Sequence, residues 1–201
     1  MFYYRLHNLL KLSFRLYFRL FYKTEIKGLE NIPVSGPLII ACNHISNFDP
    51  LLAGGFAELK RESVFFIKKE IPSWPLVGWI FRGGNKFIAV DRYKPGGDLG
   101  SLKTALKILK NGGSLFIFPE GTRSKTGKPG RAKQGIGFLV YYSGAQIVPA
   151  RLTNTDKLPF TRRVGITYGK PFTLKPDESR PAKEQLQEFA DKVMEEINKL
   201  D

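Results

Sequence analysis

Cysteine is nearly absent. Cys42 is the only thiol in 201 residues, which excludes a disulfide scaffold and any multi-cysteine zinc site. Histidine is scarce as well, with His7 and His44 alone, so a multi-histidine metal centre is also excluded. Acidic residues are outnumbered by basic ones, 18 to 32, for a formal charge of +14. Such a balance predicts an anionic partner: nucleic acid, anionic lipid headgroups or a phosphorylated substrate. Also missing is an uncharged apolar run near the ~18 residues of a membrane span. What is present is a globular composition, 42% hydrophobic and 25% charged, of a length that suits one domain with or without an appendage.

Residues 1–23 read MFYYRLHNLLKLSFRLYFRLFYK and contain no acid. On a helix Lys11, Arg15, Arg19 and Lys23 fall on one side, joined by Arg5, His7 and Asn8. Phe2, Leu6, Leu9, Leu10, Phe14, Leu16, Tyr17, Leu20 and Phe21 gather on the other, while Tyr4, Leu12 and Phe18 break the pattern. An apolar, aromatic-rich face under a basic one is the form of a helix lying among anionic headgroups. The plainer alternative is an amphipathic helix packed on its own domain. A secretory signal is excluded by charges at every fourth residue and by the absence of a small-residue cleavage site. Residues 1–23 are therefore expected to be a membrane-association helix, and 24–201 a single α/β domain.

From Thr24 onward, short apolar runs alternate with helical periodicity. Strands are expected at Leu38–Cys42, Ser63–Ile67, Lys86–Val90, Ser114–Phe118, Gln146–Val148 and Val164–Tyr168. Helices are expected over Pro50–Leu59, from Asp98 to a stop at Asn111-Gly112-Gly113, over Gly135–Tyr142, and from about Pro181 to the end. This alternation predicts an α/β fold with a mixed, largely parallel sheet flanked by helices. One uncharged segment, Ile71–Phe81, holds Trp74 and Trp79; it reads either as core or as a second patch facing membrane or acyl chain.

Four short clusters stand where apolar runs end: Asn43–Pro50, Asp91-Arg92, Phe118–Ser124 and Val148–Arg151. In open α/β sheets the ligand crevice lies outside the carboxyl ends of the strands, so the four are expected to converge. His44 and Asp49 would lie about 140° apart on one helix and can meet only across a turn. Asp49-Pro50 offers that turn as a helix cap and first residue. An Asp accepting from one imidazole nitrogen would leave the other as a base. Asp49 serving only as a cap, with His44 a satisfied polar residue, is the plainer reading. Glu120-Gly121-Thr122-Arg123 can turn backbone N–H groups and a guanidinium toward one anion. No acid occurs from Gly121 to Thr155, and Arg92 approaches from the second cluster. Arg92 and Arg123 are assigned to a phosphate site. Lys125, Lys128 and Lys133 are assigned to a solvated loop. Cys42, close to His44, is read as a small buried residue rather than a nucleophile.

With these residues on the page, the chain resembles the glycerolipid acyltransferases, the 1-acylglycerol-3-phosphate acyltransferases in particular, over about residues 24–170. The family's N-H-x-x-x-x-D stands as Asn43-His44 to Asp49, and its apolar stretch ending in Arg as Phe87–Arg92. Its F-P-E-G-T-R-S is complete at Phe118–Ser124, and its Val-Pro is Val148-Pro149. The resemblance implies transfer of an acyl group from a thioester, acyl-CoA or acyl carrier protein, to the free hydroxyl of lysophosphatidic acid, giving phosphatidic acid. It implies His44 as general base and Asp49 as its orienter. Arg92, Glu120, Gly121, Thr122 and Arg123 would form the acceptor site, Pro149 would shape its wall, and Lys86 is a further candidate substrate contact. No metal and no cofactor beyond the thioester are expected, and no nucleic acid. The implied place is the cytoplasmic face of the cell membrane, peripheral or monotopic. Acceptors such as glycerol 3-phosphate or another lyso-lipid stay open, as do a non-catalytic membrane-binding module and a thioesterase.

Overall fold

A computed structural model of the chain describes residues 2–75, 78, 86–91, 93, 97–124 and 129–200, with side chains omitted for 2–8, 10 and 11. Arg92, Trp79, Lys125 and Lys128 lie outside the described residues. The elements run α1 (Phe2–Phe21), β1 (Lys23–Lys27), β2 (Leu38–Cys42), α2 (a wide turn Pro50–Gly54 continued by Gly55–Ala57), β3 (Val64–Lys68) and β4 (Phe87–Val90). There follow α3 (Leu99–Lys110), β5 (Ser114–Ile117), α4 (Gln134–Ser143), β6 (Gln146–Thr153), β7 (Arg163–Tyr168) and α5 (Ala182–Asn198).

The strands form one seven-stranded sheet in the order β1-β7-β6-β2-β5-β3-β4. Every neighbouring pair is parallel except β6 and β7. The carboxyl ends of β2, β3, β4, β5 and β6 therefore share one edge of the sheet, and β7 and β1 begin at that same edge. The central strands are covered on both faces, which is why LIIAC and SLFI read as unbroken apolar runs. On one face Ile39, Ala41, Leu115, Ile117 and Ile147 pack against Ala105 and Leu109 of α3, Leu139 and Val140 of α4, and Val193 and Ile197 of α5. On the other, Leu38, Ile40, Cys42, Phe116 and Val148 meet Leu52 and Phe56 of α2 and Phe18 of α1. Gly137 lets α4 and α5 approach closely, since a Cβ there would sit 1.8 Å from the Leu186 carbonyl oxygen.

Two expectations change. β1 was not foreseen: Lys-Thr-Glu-Ile-Lys is a charged edge strand with a half-exposed alternation and carries no apolar run to betray it. α1 is not a simple two-faced helix either. Phe18, which breaks the sequence pattern, is only 1% exposed, and Arg15 of the basic side turns inward, its Nε donating to the Gly55 carbonyl at 2.7 Å. The docked edge is Phe14, Arg15 and Phe18. Leu9, Leu12, Leu16, Leu20 and Phe21 stay exposed on the remaining arc. Among the described residues no helix is long and apolar enough to cross a membrane.

Candidate active site

The loop that leaves β2 turns back on itself, and the agent of the turn is Asp49. Its side chain does not cap α2; the residue itself has helical dihedrals and makes no capping bond. Instead Oδ2 accepts from Ile45 N–H at 2.6 Å and Ser46 N–H at 2.7 Å, and takes the His44 Nδ1 at 2.9 Å. Oδ1 accepts from the Thr155 hydroxyl at 2.5 Å. Asp49 and Thr155 are both fully buried. An oxygen that already receives two amide hydrogens is an acceptor toward the imidazole as well, so Nδ1 carries the proton and Nε2 keeps its lone pair. Charge-assisted bonds of this kind contribute about 1.5–3 kcal/mol each. The expected meeting of His44 and Asp49 is thus present, through a different turn from the one the Asp-Pro pair suggested.

His44 is gripped along its backbone as well. Its N–H donates to Glu120 Oε1 at 2.9 Å, and its carbonyl accepts from Ser124 N–H at 2.7 Å. The ring stacks on Phe118, with centroids 4.1 Å apart and planes at 21°. The segment Phe118–Ser124 therefore wraps the histidine from three sides. Asn43 completes the frame: its amide exchanges two hydrogen bonds with the Leu152 backbone, at 2.7 and 3.1 Å, and so carries the β2–β6 pairing past the strand end.

Glu120, expected as a substrate contact, is bonded to the chain's own backbone. It is 6% exposed, and its second oxygen accepts from Gly130 N–H at 3.0 Å. Both carboxylate oxygens are used to join two loops. Gly121 has φ +69°, and a Cβ there would lie 2.9 Å from the Lys133 side chain. Thr122 and Arg123 are exposed beside it. Lys133, read in sequence as part of a solvated loop, instead lines the cavity at the start of α4. Neither Arg123 nor Lys133 has an ion-pair partner among the described residues.

Lys86 is placed elsewhere. It precedes β4, at the opposite edge of the sheet from His44, and pairs with Glu62 at 2.9 Å. Pro149 does not line the cavity. It is buried within β6, between the bridge of Ile147 to Phe172 and the start of the β7 ladder at Ala150, where a residue without an N–H fits. Arg151 turns to the Asn198 carbonyl at the end of α5. The fourth cluster thus supplies scaffold, and the chain's own contribution from that region is Thr155. Asp91 stays at the site edge, where its side chain pairs with Lys69 at 2.7 Å and its N–H donates to Asp98.

The cavity beside His44 has a volume of about 440 Å³. It descends from Gly121 and Lys133 between the ends of β3, β4 and β5 and the first turns of α3 and α4. Phe66, Ile117, Leu102, Ile136 and Leu139 make its walls predominantly apolar. Cys42 takes no part. Its thiol is buried on the α2 face, donates to Asn43 Oδ1 at 3.7 Å, and is pushed well up in pKa by burial and by the charges of Asp49 and Glu120. Among the described residues no three His, Cys, Asp or Glu side chains assemble as metal ligands.

The chain is similar to several known acyltransferases. A 1-acyl-sn-glycerol-3-phosphate acyltransferase of Bacillus subtilis is 29% identical over 180 residues, covering 88% of this chain and 87% of that protein. A chloroplastic 1-acyl-sn-glycerol-3-phosphate acyltransferase of Brassica napus is 35% identical over 151 residues, or 73% of this chain and 42% of its own length. A similar chloroplastic enzyme of Arabidopsis thaliana is 36% identical, with 40% of its length matched. The chain thus spans about two fifths of these chloroplastic relatives. The crystal structure of PlsC, the LPA acyltransferase of Thermotoga maritima, superposes with a TM-score of 0.68 at 26% identity, covering 97% of this chain and 80% of that one. The family model described as Acyltransferase matches residues 23–153, a span that begins at β1 and includes His44, Asp49, Glu120 and the end of β6, and the chain belongs to that acyltransferase family.

Proposed function

We propose that the chain acylates 1-acylglycerol 3-phosphate from an acyl thioester, acyl-CoA or acyl carrier protein, and so makes phosphatidic acid. The observation that carries this reading is the His44–Asp49 pair, 2.9 Å apart, with the imidazole at the mouth of an apolar cavity. Nε2 of His44 takes the proton from the acceptor hydroxyl as its oxygen attacks the thioester carbonyl. The tetrahedral intermediate collapses with cleavage of the C–S bond, and the imidazolium returns the proton to the leaving thiolate. The new C–O ester bond is the product. A thioester is already activated, so no serine or cysteine nucleophile is needed, which suits the buried state of Cys42. Asp49 and Thr155 hold the ring in the tautomer that works as a base.

The acceptor phosphate is assigned to Arg123 and Lys133 with the amino end of α4, and to Arg92 by resemblance. The apolar cavity would take an acyl chain. Both lipids live in a bilayer, and extraction costs about 0.8 kcal/mol per methylene. The exposed arc Leu9, Leu12, Leu16, Leu20 and Phe21 of α1 supports a monotopic or peripheral place on an anionic membrane, at its cytoplasmic face. Trp74, half exposed beyond β3, supports a second apolar contact there. The test is acyl transfer by the purified full chain, with the product identified by mass. His44→Ala should lower the rate by about 10²–10⁴. Equal product from wild type and variant would overturn the reading, and free fatty acid in place of phosphatidic acid would make the chain a thioesterase.

A further inference from the structure

The connection between β6 and β7 carries Phe160, which is 95% exposed. The turn is not remote from the chemistry. Its root is Thr155, bonded to Asp49, and its far limb is tied to the first residue of β1, just beyond the end of α1, because Lys23 N–H donates to the Arg162 carbonyl at 2.6 Å. Phe21, 64% exposed, lies two residues before that hydrogen bond, and Phe160 two residues before its acceptor. Lys157, Arg162, Arg163 and Lys23 are exposed around them, against Asp156 and a Glu25 that pairs with Lys27. Phe48, between His44 and Asp49, is 41% exposed on the same edge. Single aromatic side chains set among cations suit a fluid, negatively charged surface.

We propose that the 154–163 turn is a further lipid-contacting site, beside α1 and Trp74, with Phe160 entering the acyl boundary of an anionic bilayer and the flanking cations on its headgroups. This rests on the membrane reading of α1 and deepens it. A helix lying in an interface fixes position but leaves the domain free to roll about the helix axis. A second contact removes that freedom and turns the edge bearing His44 toward the lipid, where a lyso-lipid could enter the cavity without leaving the surface.

The experiment uses the full chain with Phe160→Cys carrying an environment-sensitive fluorophore. Cys42 is fully buried and does not compete for label. Lys170→Cys, beyond the far end of β7, is the reference position. Vesicles of phosphatidylcholine with phosphatidylglycerol, carrying doxyl-labelled acyl chains, should quench the label at 160 and spare that at 170. Phe160→Asp should weaken vesicle binding about tenfold. A chain that pellets with vesicles while the label at 160 stays unquenched overturns the proposal and leaves α1 as the anchor. Equal quenching at 160 and 170 overturns it as well. A wild-type chain that fails to pellet overturns the α1 reading and this one together. Shielding of the label that depends on protein concentration without vesicles would assign the turn to a second copy of the chain.

Discussion

The two sides of the cavity mouth are built in opposite ways. On the dyad side every carboxylate oxygen is engaged: Asp49 receives two amides, a hydroxyl and the imidazole, and Glu120 receives two amides from separate loops. Both carboxylates are buried. On the cationic side Arg123 and Lys133 are exposed, with no ion-pair partner among the described residues. A base must keep one direction and one tautomer through the reaction, so its supports are fixed beforehand. A phosphate grip must meet a charge that arrives from outside, so its partners are left to the ligand. If the division is real, substitutions on the two sides should separate stability and turnover from acceptor affinity.

The largest separation is expected at Glu120. Glu120→Ala takes the shared acceptor from the half-buried His44 amide and the more exposed Gly130 amide, at a cost of about 1–3 kcal/mol in stability. The denaturant midpoint should fall and kcat with it, while KM for the acceptor stays near the wild-type value. A rise in KM alone, with stability intact, would return Glu120 to the role of a phosphate-site residue and erase the contrast. Thr155→Val comes next. It removes one hydrogen bond to Asp49 in a space that a methyl group fills, so about 1–2 kcal/mol of stability and about tenfold in kcat should be lost. Thr155→Ser should restore kcat. Failure of that rescue would mean the residue serves packing rather than the orientation of the carboxylate.

This contrast also separates what the sequence discloses from what it hides. Buried parallel strands announce themselves because both faces are apolar, so LIIAC and SLFI were legible, as were the chemical identities of His44 and Asp49 at a strand end. Partners joined by the tertiary fold were not. Thr155 is one hydroxyl among several in a polar turn, 106 residues from the aspartate it holds. Lys133 sits beyond a basic run that reads uniformly as surface, and its side chain reaches the cavity by packing over Gly121, where a Cβ would come within 2.9 Å of it. Motif position marks Glu120 without showing which amides its carboxylate holds, the one at His44 and the one at Gly130. Phe18 broke the helical pattern because the docked edge of α1 is narrow and falls across the basic side rather than along the apolar one.

On the cationic side the expected effects are smaller and of another kind. Arg123→Ala and Lys133→Ala should each raise KM for a phosphorylated acceptor about tenfold. Stability should move by less than about 0.5 kcal/mol, as for exposed residues without structural partners. Added salt should raise the wild-type KM toward that of the variants, because an exposed charge pair is screened. Salt should leave the Glu120→Ala defect unchanged. A salt-independent KM, or a loss of stability in either variant, would show that these side chains support the fold and that the two sides are not built differently.

The smallest effect is expected at Cys42, and its smallness sharpens the comparison. The thiol lies close in sequence to the proposed base, yet β2 ends between them and the two side chains enter different surroundings. Cys42 is in the core shared with α2, whereas His44 is at the cavity. Burial and the nearby Asp49 and Glu120 raise the thiol's pKa well above its ordinary value, so the thiolate is scarce at neutral pH. Cys42→Ala removes one sulfur from a closed core and should cost about 1 kcal/mol in stability with kcat nearly unchanged. The native chain should resist iodoacetamide until denaturant opens the core, and only then take up a single label. Inactivation of the folded chain in step with labelling would place a nucleophile where the geometry puts packing. It would also require an acyl-thioester enzyme intermediate in place of direct transfer through His44.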